Sequence, residues 1–428
     1  MELPRGMKDF EPDELAKIEH IRQKFQETAQ LFGFKQMEPS ALELLSTLEK
    51  KGGQAIKDEI YFFEDKKTKP IMLALRFDFT VGLTRYVTSQ KSLRMPAKFS
   101  TFGGVWRYDE PQRGRYRYFH QWNVEIYGKP SLESEAEIIE FTSRLFDSLK
   151  MQNISLDINH RALVQSYINK VFESNEHVLV SDILRAVDKI QKKSTQDILN
   201  EFQKKGYDDS RLEKILDFAK IKGSPKEIQE KHKELVEGLD GWSDLTKLFD
   251  SLKNRDVENV RINFGIVRGL DYYSGMVFEV FDTTSDLGAL AGGGTYDALT
   301  KAFGRDDISA TGVAGGVERM IITMEGQKIA AIVPIQIVSV VYVNEEMKAP
   351  AMNLASKLRQ KQIPVTIDVT GKSLSKQMEH ASDSTFAVIV GPKEYADDSV
   401  VLRNMNDGKE NTMKINNLLE SISSILNL

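Results

Sequence analysis

Arg107, Arg113, Arg115 and Arg117 crowd into one short stretch with Tyr108, Tyr116 and Phe119, interrupted by Pro111 and Gly114. A strand arriving at Arg107, a polar turn and a returning strand from Phe119 to Tyr127 account for that pattern. Side chains alternate along a strand, so Phe119, Gln121, Asn123 and Glu125 share one face of the return. That face offers an aromatic platform, amides and a carboxylate beside a cationic loop. A charged hairpin in an ordinary sheet is the plain alternative, but the arginines are too dense for a solvated turn. Such a concentration of arginines and aromatics marks the stretch as a candidate for chemistry.

Three more stretches carry candidate groups. The first is Arg268-Gly269-Leu270-Asp271-Tyr272-Tyr273, which runs on to Glu279. In Leu75-Arg76-Phe77-Asp78-Phe79-Thr80, Asp78 and Thr80 stand two apart. If that segment is a strand they share a face and could hold an ammonium group. Glycine-rich runs at Gly292-Gly293-Gly294 and Thr311 to Gly316 let backbone approach a ligand closely. A helix beginning near Gly316 could then carry Arg319 toward a phosphate.

The elements around these groups are legible in outline. Leu15, Ile18, Ile21, Phe25, Ala29 and Phe32 recur at helical spacing over residues 13–32, with Gly33 as the stop. Phe34 to Pro39 reads as a strand. From Tyr61 to about Gly128 short β-rich runs point to antiparallel strands with long loops. Residues from about 165 to 255 read as a helical insertion that Gly223-Ser224-Pro225 breaks midway. Strand patterns return at Val260 to Phe264 and at Met276 to Phe281. Beyond about Ile332, strands at Ile337–Val343, Val365–Val369 and Phe386–Val390 alternate with helices at Ala349–Gln360 and Leu374–His380. The expectation is an α+β chain with a larger domain over residues 1–330 and a smaller α/β domain with a mixed sheet over 331–428.

Composition narrows the class. The 428 residues are 41% hydrophobic and 28% charged, a soluble globular mix. No apolar run approaches the roughly 18 residues of a membrane span, and the first residues lack a secretory pattern. The lack of cysteine excludes disulfides, thiolate zinc sites and a cysteine nucleophile. A cytoplasmic location is expected. The net charge of −5 argues weakly against nucleic acid, although a local basic patch is enough for phosphate contacts.

The stretch from Phe102 to Glu125 resembles motif 2 of class II aminoacyl-tRNA synthetases. Arg268 to Glu279 closely resembles a signature of the histidyl-tRNA synthetase family. The resemblance implies an antiparallel catalytic sheet with flanking helices and a C-terminal anticodon-binding domain. It also implies ATP-dependent activation of L-histidine and its transfer to tRNA(His). By the same resemblance Arg107 and Arg268 are the catalytic arginines, and ATP meets Arg107, Arg115, Phe119 and Arg319. Histidine would be held by Asp78, Phe79, Thr80, Arg107, Gln121, Glu125, Arg268, Tyr272 and Tyr273. Gln112 and Arg113 would meet the acceptor end of tRNA, and Lys372 and Lys376 would contact RNA from the terminal domain. Mg²⁺ is expected through the ATP phosphates, without a dedicated protein site, and motif 1 implies a homodimer. Asp78, Glu110 and Thr295 depart from the family's commoner glutamate, arginine and arginine.

These residues suit an in-line attack of a carboxylate on the α-phosphorus of ATP. Positioning and charge neutralisation do most of the work in such phosphoryl chemistry. Glu125 can accept from one imidazole N–H while a tyrosine hydroxyl, Tyr273 by the resemblance, pairs with the other nitrogen. A site built on those bonds rejects analogues that strand its polar groups. The rival readings are a binding-only paralogue serving histidine biosynthesis, a synthetase-like domain of a kinase, and an ATP-dependent ligase of small acids.

Overall fold

The structure is a computed structural model that describes residues 2–66, 71–129, 131–191, 193–267, 273–329 and 337–425. Two compact units divide the chain, Met1–Ile332 and Val333–Leu428.

The first unit is built on a nine-stranded sheet. In spatial order its strands are Lys35–Gln36, Ala97–Trp106, Tyr118–Gly128, Ser309–Gly316, Ala291–Tyr296, Tyr273–Asp282, Ile154–His160, Val260–Asn263 and Lys222–Gly223. Pairing is antiparallel except between the first two strands and between Ile154–His160 and Val260–Asn263. The antiparallel character follows the sequence expectation. The strand anticipated from Phe34 to Pro39, however, is ladder-paired only at Lys35–Gln36.

One face of the sheet is closed by helices Pro12–Leu31 and Leu132–Ser148. In the first, Pro12 opens the helix and Ile18, Ile21, Phe25 and Ala29 form the buried stripe. Phe25 sits about equidistant from Phe102, Trp122 and Phe141, with ring centroids 5.9, 5.8 and 6.0 Å away. Truncating such a ring to alanine costs about 3–5 kcal/mol. The even-numbered residues Trp122, Val124 and Ile126 of the third strand join this core. Its odd-numbered residues point to the opposite face, where the site lies.

On that opposite face the structure corrects one expectation. Thr80–Ser89 is a helix, so Asp78 and Thr80 flank its start instead of sharing a strand face. Its β-branched sequence favours a strand locally, but burial of Val81, Leu83 and Val87 decides for the helix. A small three-stranded sheet of Leu42–Leu44, Met72–Leu75 and Phe62–Glu64 lies beside it in sequence.

The insertion is helical as expected, except for the two-residue edge strand Lys222–Gly223 that joins the main sheet. Its helices are Arg161–Phe172, His177–Asp188, Thr195–Gln203, Asp209–Ala219, Pro225–Val236 and Trp242–Asn254. The break at Gly223-Ser224-Pro225 is a helix start, where Ser224 and Glu227 form a capping box ahead of Pro225 at the first helical position. Tyr167 stacks on Phe218 and Phe218 on Phe264, at 4.0 and 4.5 Å, which ties the insertion to the main sheet.

The second unit holds a five-stranded mixed sheet in the order Val365–Ile367, Val338–Tyr342, Phe386–Val390, Ser399–Asn404, Glu410–Lys414. The first three strands are parallel and the last two antiparallel. Helices Lys348–Gln360 and Ile415–Ile425 bury Leu354, Leu358, Leu418 and Ile422 in its core, and helix Leu374–Ala381 packs with Val341 and Ala387.

Candidate active site

Alternation along Tyr118–Gly128 sets Gln121, Asn123 and Glu125 in a buried row. Buried polar groups need partners, and here they supply one another. Arg107 donates to Gln121 Oε1 at 3.1 Å, and Gln121 Nε2 donates to Asn123 Oδ1 at 2.6 Å. Asn123 Nδ2 reaches Glu125 at 3.3 Å. Thr80 Oγ1 donates to Glu125 Oε1 and the Tyr296 hydroxyl to Oε2, both at 2.8 Å. Burial pushes the Glu125 carboxyl up to about 7, against the pull of Tyr296, Thr80 and Asn123 and the nearby Lys51 charge. The phenol of Tyr296 is driven well upward by burial and by the Glu125 charge, so it stays a donor.

The row has room because the adjacent strand has almost no side chains. Glu125 pairs with Gly312, Asn123 with Ala314 and Gln121 with Gly316. A Cβ at position 312 would fall 1.6 Å from Glu125 Oε2, which makes glycine obligatory there.

Asp78 sits in the turn before helix Thr80–Ser89. Its Oδ1 accepts from the Val81 N–H at 3.2 Å, and its Oδ2 lies 2.5 Å from Lys51 Nζ. Phe79, expected beside the amino acid, is fully buried, with the Arg76 guanidinium 4.7 Å from its ring centroid. Asp78, Thr80, Arg107, Gln121, Glu125 and Tyr273 are brought together around a cavity of about 310 Å³, and Phe79 is not among its lining.

A neighbouring cavity of about 230 Å³ shares Arg107 and Arg115 and adds Phe119 and Arg319. Arg107 donates from Nε to the Phe77 carbonyl at 3.0 Å and lies 5.1 Å from the Phe119 ring centroid. Arg319, in the first turn of helix Val317–Gly326, donates to the Ala289 carbonyl at 2.7 Å. Burial lowers its proton affinity, and the charges of Arg115 and Arg107 lower it further. Converging cations of this kind mark a site for a polyanion. Glu318, beside Arg319, instead accepts from the His120 backbone at 2.8 Å and fixes the helix to the strand.

The hairpin Gln112–Arg115 closes through two backbone bonds, with Gly114 at φ +70°. Gln112 and Arg113 are exposed at its tip. Glu110 pairs with Arg5 at 2.7 Å in solvent. Thr295 faces away from both cavities and donates to Glu135 at 2.5 Å. Arg268 and Tyr272 lie outside the described residues. In the second unit, Lys372 Nζ is 2.6 Å from His380 Nε2, and Lys376 is exposed on the same helix as His380.

Two site residues escaped the sequence reading. Tyr296 ends a glycine-rich strand, where a lone aromatic hydroxyl among small residues was the available signal. Lys51 belongs to the run Glu49-Lys50-Lys51, which looks like a solvated face.

An antiparallel sheet that carries one arginine before a hairpin and another on the helix after a glycine-rich strand has the catalytic architecture of the class II aminoacyl-tRNA synthetases. A histidyl-tRNA synthetase family profile matches residues 6–320, and an anticodon-binding domain profile matches residues 337–425. The histidine–tRNA ligase of Pyrococcus furiosus is 30% identical over 437 residues, covering 100% of this chain and 99% of that protein. That of Archaeoglobus fulgidus is 32% identical over 414 residues, covering 95% of each. A crystal structure of histidyl-tRNA synthetase from Nostoc sp. PCC 7120 superposes with a TM-score of 0.82 at 25% identity, covering 99% of both chains. The fold is shared also with a Bacillus halodurans protein described as an ATP phosphoribosyltransferase regulatory subunit/histidyl-tRNA synthetase, at a TM-score of 0.75 and 21% identity, over 91% of this chain and 98% of that one. The chain belongs to the histidyl-tRNA synthetase family.

Proposed function

We propose that this chain is a histidine–tRNA ligase that activates L-histidine with ATP and transfers it to the 3′ end of tRNA(His). The observation that carries this reading is the buried Glu125, bonded by Thr80, Asn123 and Tyr296, at the floor of a cavity that joins an arginine-lined one. A carboxylate so placed can accept an imidazole N–H, and a tyrosine hydroxyl, from Tyr273 or Tyr296, can serve the other nitrogen. Asp78 takes the α-ammonium with Thr80 beside it. Gln121 and Arg107 hold the carboxylate near the α-phosphorus, with Arg268 joining them by the family signature.

Arg107 neutralises the α-phosphate, Phe119 stacks on adenine, and Arg115 and Arg319 take the remaining phosphate oxygens. The histidine carboxylate attacks, pyrophosphate leaves, and no side chain becomes a covalent nucleophile. Mg²⁺ would enter with ATP, and Glu279 on the cavity wall is the carboxylate that could meet it or its water. When bound, that ion adds charge neutralisation between the phosphates.

Gln112 and Arg113 at the hairpin tip suit the acceptor end of tRNA, and Lys372 and Lys376 suit contacts from the terminal domain. A homodimer through the motif 1 region is supported by Leu31, 85% exposed at the end of its helix, beside the two-residue edge strand. Among the described residues no helix is long and apolar enough to cross a membrane, and a cytoplasmic site of action fits that.

ATP–pyrophosphate exchange across a panel of amino acids tests the reading. Exchange that requires histidine is expected. Histidine-independent exchange, or none, would overturn it, and histidine binding without exchange would favour a regulatory subunit.

A further inference from the structure

Lysine is seldom buried without a partner. Only 7% of the Lys51 side chain is exposed, and 6% of that of Asp78, to which its Nζ is bonded at 2.5 Å. Lys51 lies in the last turn of the Leu45–Gly52 helix and reaches into the same cavity as Glu125. A cation of the protein therefore already occupies the acceptor that the ligase reading gives to the substrate's ammonium.

We propose that Lys51 is a placeholder for the α-ammonium of the amino acid: it neutralises Asp78 while the pocket is empty and is displaced from it when histidine binds. The proposal rests on the ligase reading of Asp78. Its physical motive is the buried Asp78 carboxylate, which shares its cavity with the buried Glu125. A buried charge deprived of its partner is strongly destabilising, and the cation bonded to Asp78 is Lys51, whereas Arg107 on the same cavity bonds to the Phe77 carbonyl and Gln121. The backbone next to Lys51 suits its withdrawal. Gly52 and Gly53 follow it, Gly53 has φ +62°, and nothing lies within 4 Å of where a Gly53 Cβ would be.

The exchange has a thermodynamic consequence. Histidine gains an ion pair with Asp78 only by breaking one, so its ammonium adds little net affinity. Every amino acid meets the same cost, which leaves the preference among amino acids unchanged while keeping all of them weaker binders. In Lys51→Met the incoming ammonium would meet an unpaired Asp78 and gain the full charge-assisted bond.

Equilibrium binding to the full-length protein tests this with two ligands, histidine and imidazolepropionate, which is histidine without its amino group. Lys51→Met is expected to lower the Kd of histidine about tenfold or more, the scale of one hydrogen bond to a charged group. It should leave the Kd of imidazolepropionate unimproved, and Lys51→Arg should keep the wild-type value for histidine. An unchanged or raised histidine Kd in Lys51→Met, or an equal gain for both ligands, would overturn the placeholder while leaving the ligase reading intact. Failure of the wild-type protein to bind histidine would overturn both. Should Lys51→Met not fold, acylation of the wild-type protein mapped by mass spectrometry decides. Histidine should increase labelling of Lys51 and imidazolepropionate should not. Protection of Lys51 by histidine, or labelling that histidine does not change, would overturn the proposal.

Discussion

At one end of the cleft, Glu125 and Asp78 are buried carboxylates whose bonds are made by Thr80, Asn123, Tyr296 and Lys51. At the other end, Arg107 and Arg319 bond to the backbone carbonyls of Phe77 and Ala289, and burial, then the charges of Arg115 and Arg107, depress the proton affinity of Arg319. The first end is electrostatically closed before any ligand arrives. The second keeps a positive field that a polyanion would relieve. Selection thus needs a filled, geometrically exact network, whereas acceleration needs preorganised charge that strengthens its grip as the transition state forms.

Four experiments probe this contrast. Arg107→Ala is expected to lower kcat for ATP–pyrophosphate exchange about 10²–10³-fold, the usual loss for one preorganised donor. Circular dichroism should remain native, and a loss confined to the KM for ATP would contradict a role in the transition state. Glu125→Gln should reduce kcat/KM for histidine about 10²-fold through stranded hydrogen-bond groups, with ATP affinity preserved. Equal damage to both substrates would remove the distinction between the two ends.

The same residue sets a pH test. The folded-state carboxyl of Glu125 titrates at about 7, above its unfolded value of 4.5, so the native state holds the extra proton between those limits. Stability to urea should therefore fall as pH rises through that window, and Glu125→Gln should abolish this part of the slope. An unchanged slope in the variant would refute the assignment. Smallest of all is the response to salt. Raising ionic strength from about 0.05 to 0.5 M should increase the KM for ATP a few-fold and barely move that for histidine, because screening acts on the open cationic end. A parallel rise in both would erase the comparison.

Much of the arginine-rich end was legible because it lies in contiguous sequence. Arg107 and Phe119 follow from one hairpin, and Arg319 from a helix start after glycines; at the other end only Glu125, on the same return strand, was as plain. The other end is assembled from distant segments, and local pattern failed there in specific ways. Leu75 to Thr80 reads as a strand, but the chain leaves the strand at Leu75 and starts a helix at Thr80, whose β-branched residues give no helical signature and are held by tertiary burial. Phe79 reads as a cavity wall but turns into the core beneath Arg76. Lys51 and Tyr296 escaped because nothing near them in sequence reveals that they converge on Asp78 and Glu125. Thr295 and Glu110, the departures from the family pattern, find their partners in Glu135 and Arg5.

The glycine at position 312 sets the terms for redesigning the amino-acid pocket. Gly292 and Gly312 line it without any side chain to trim, so engineering cannot deepen that wall by truncation. Space for a bulkier amino acid has to come from lining side chains such as Tyr273, Tyr296, Phe77 or Ile56, and removing Tyr296 also deletes a donor to Glu125. Change in the opposite direction meets its own barrier, because a methyl group added at 312 would collide with the Glu125 carboxylate. A new substrate would therefore require rebuilding Glu125 together with its glycine floor, as a coupled pair of positions rather than one at a time.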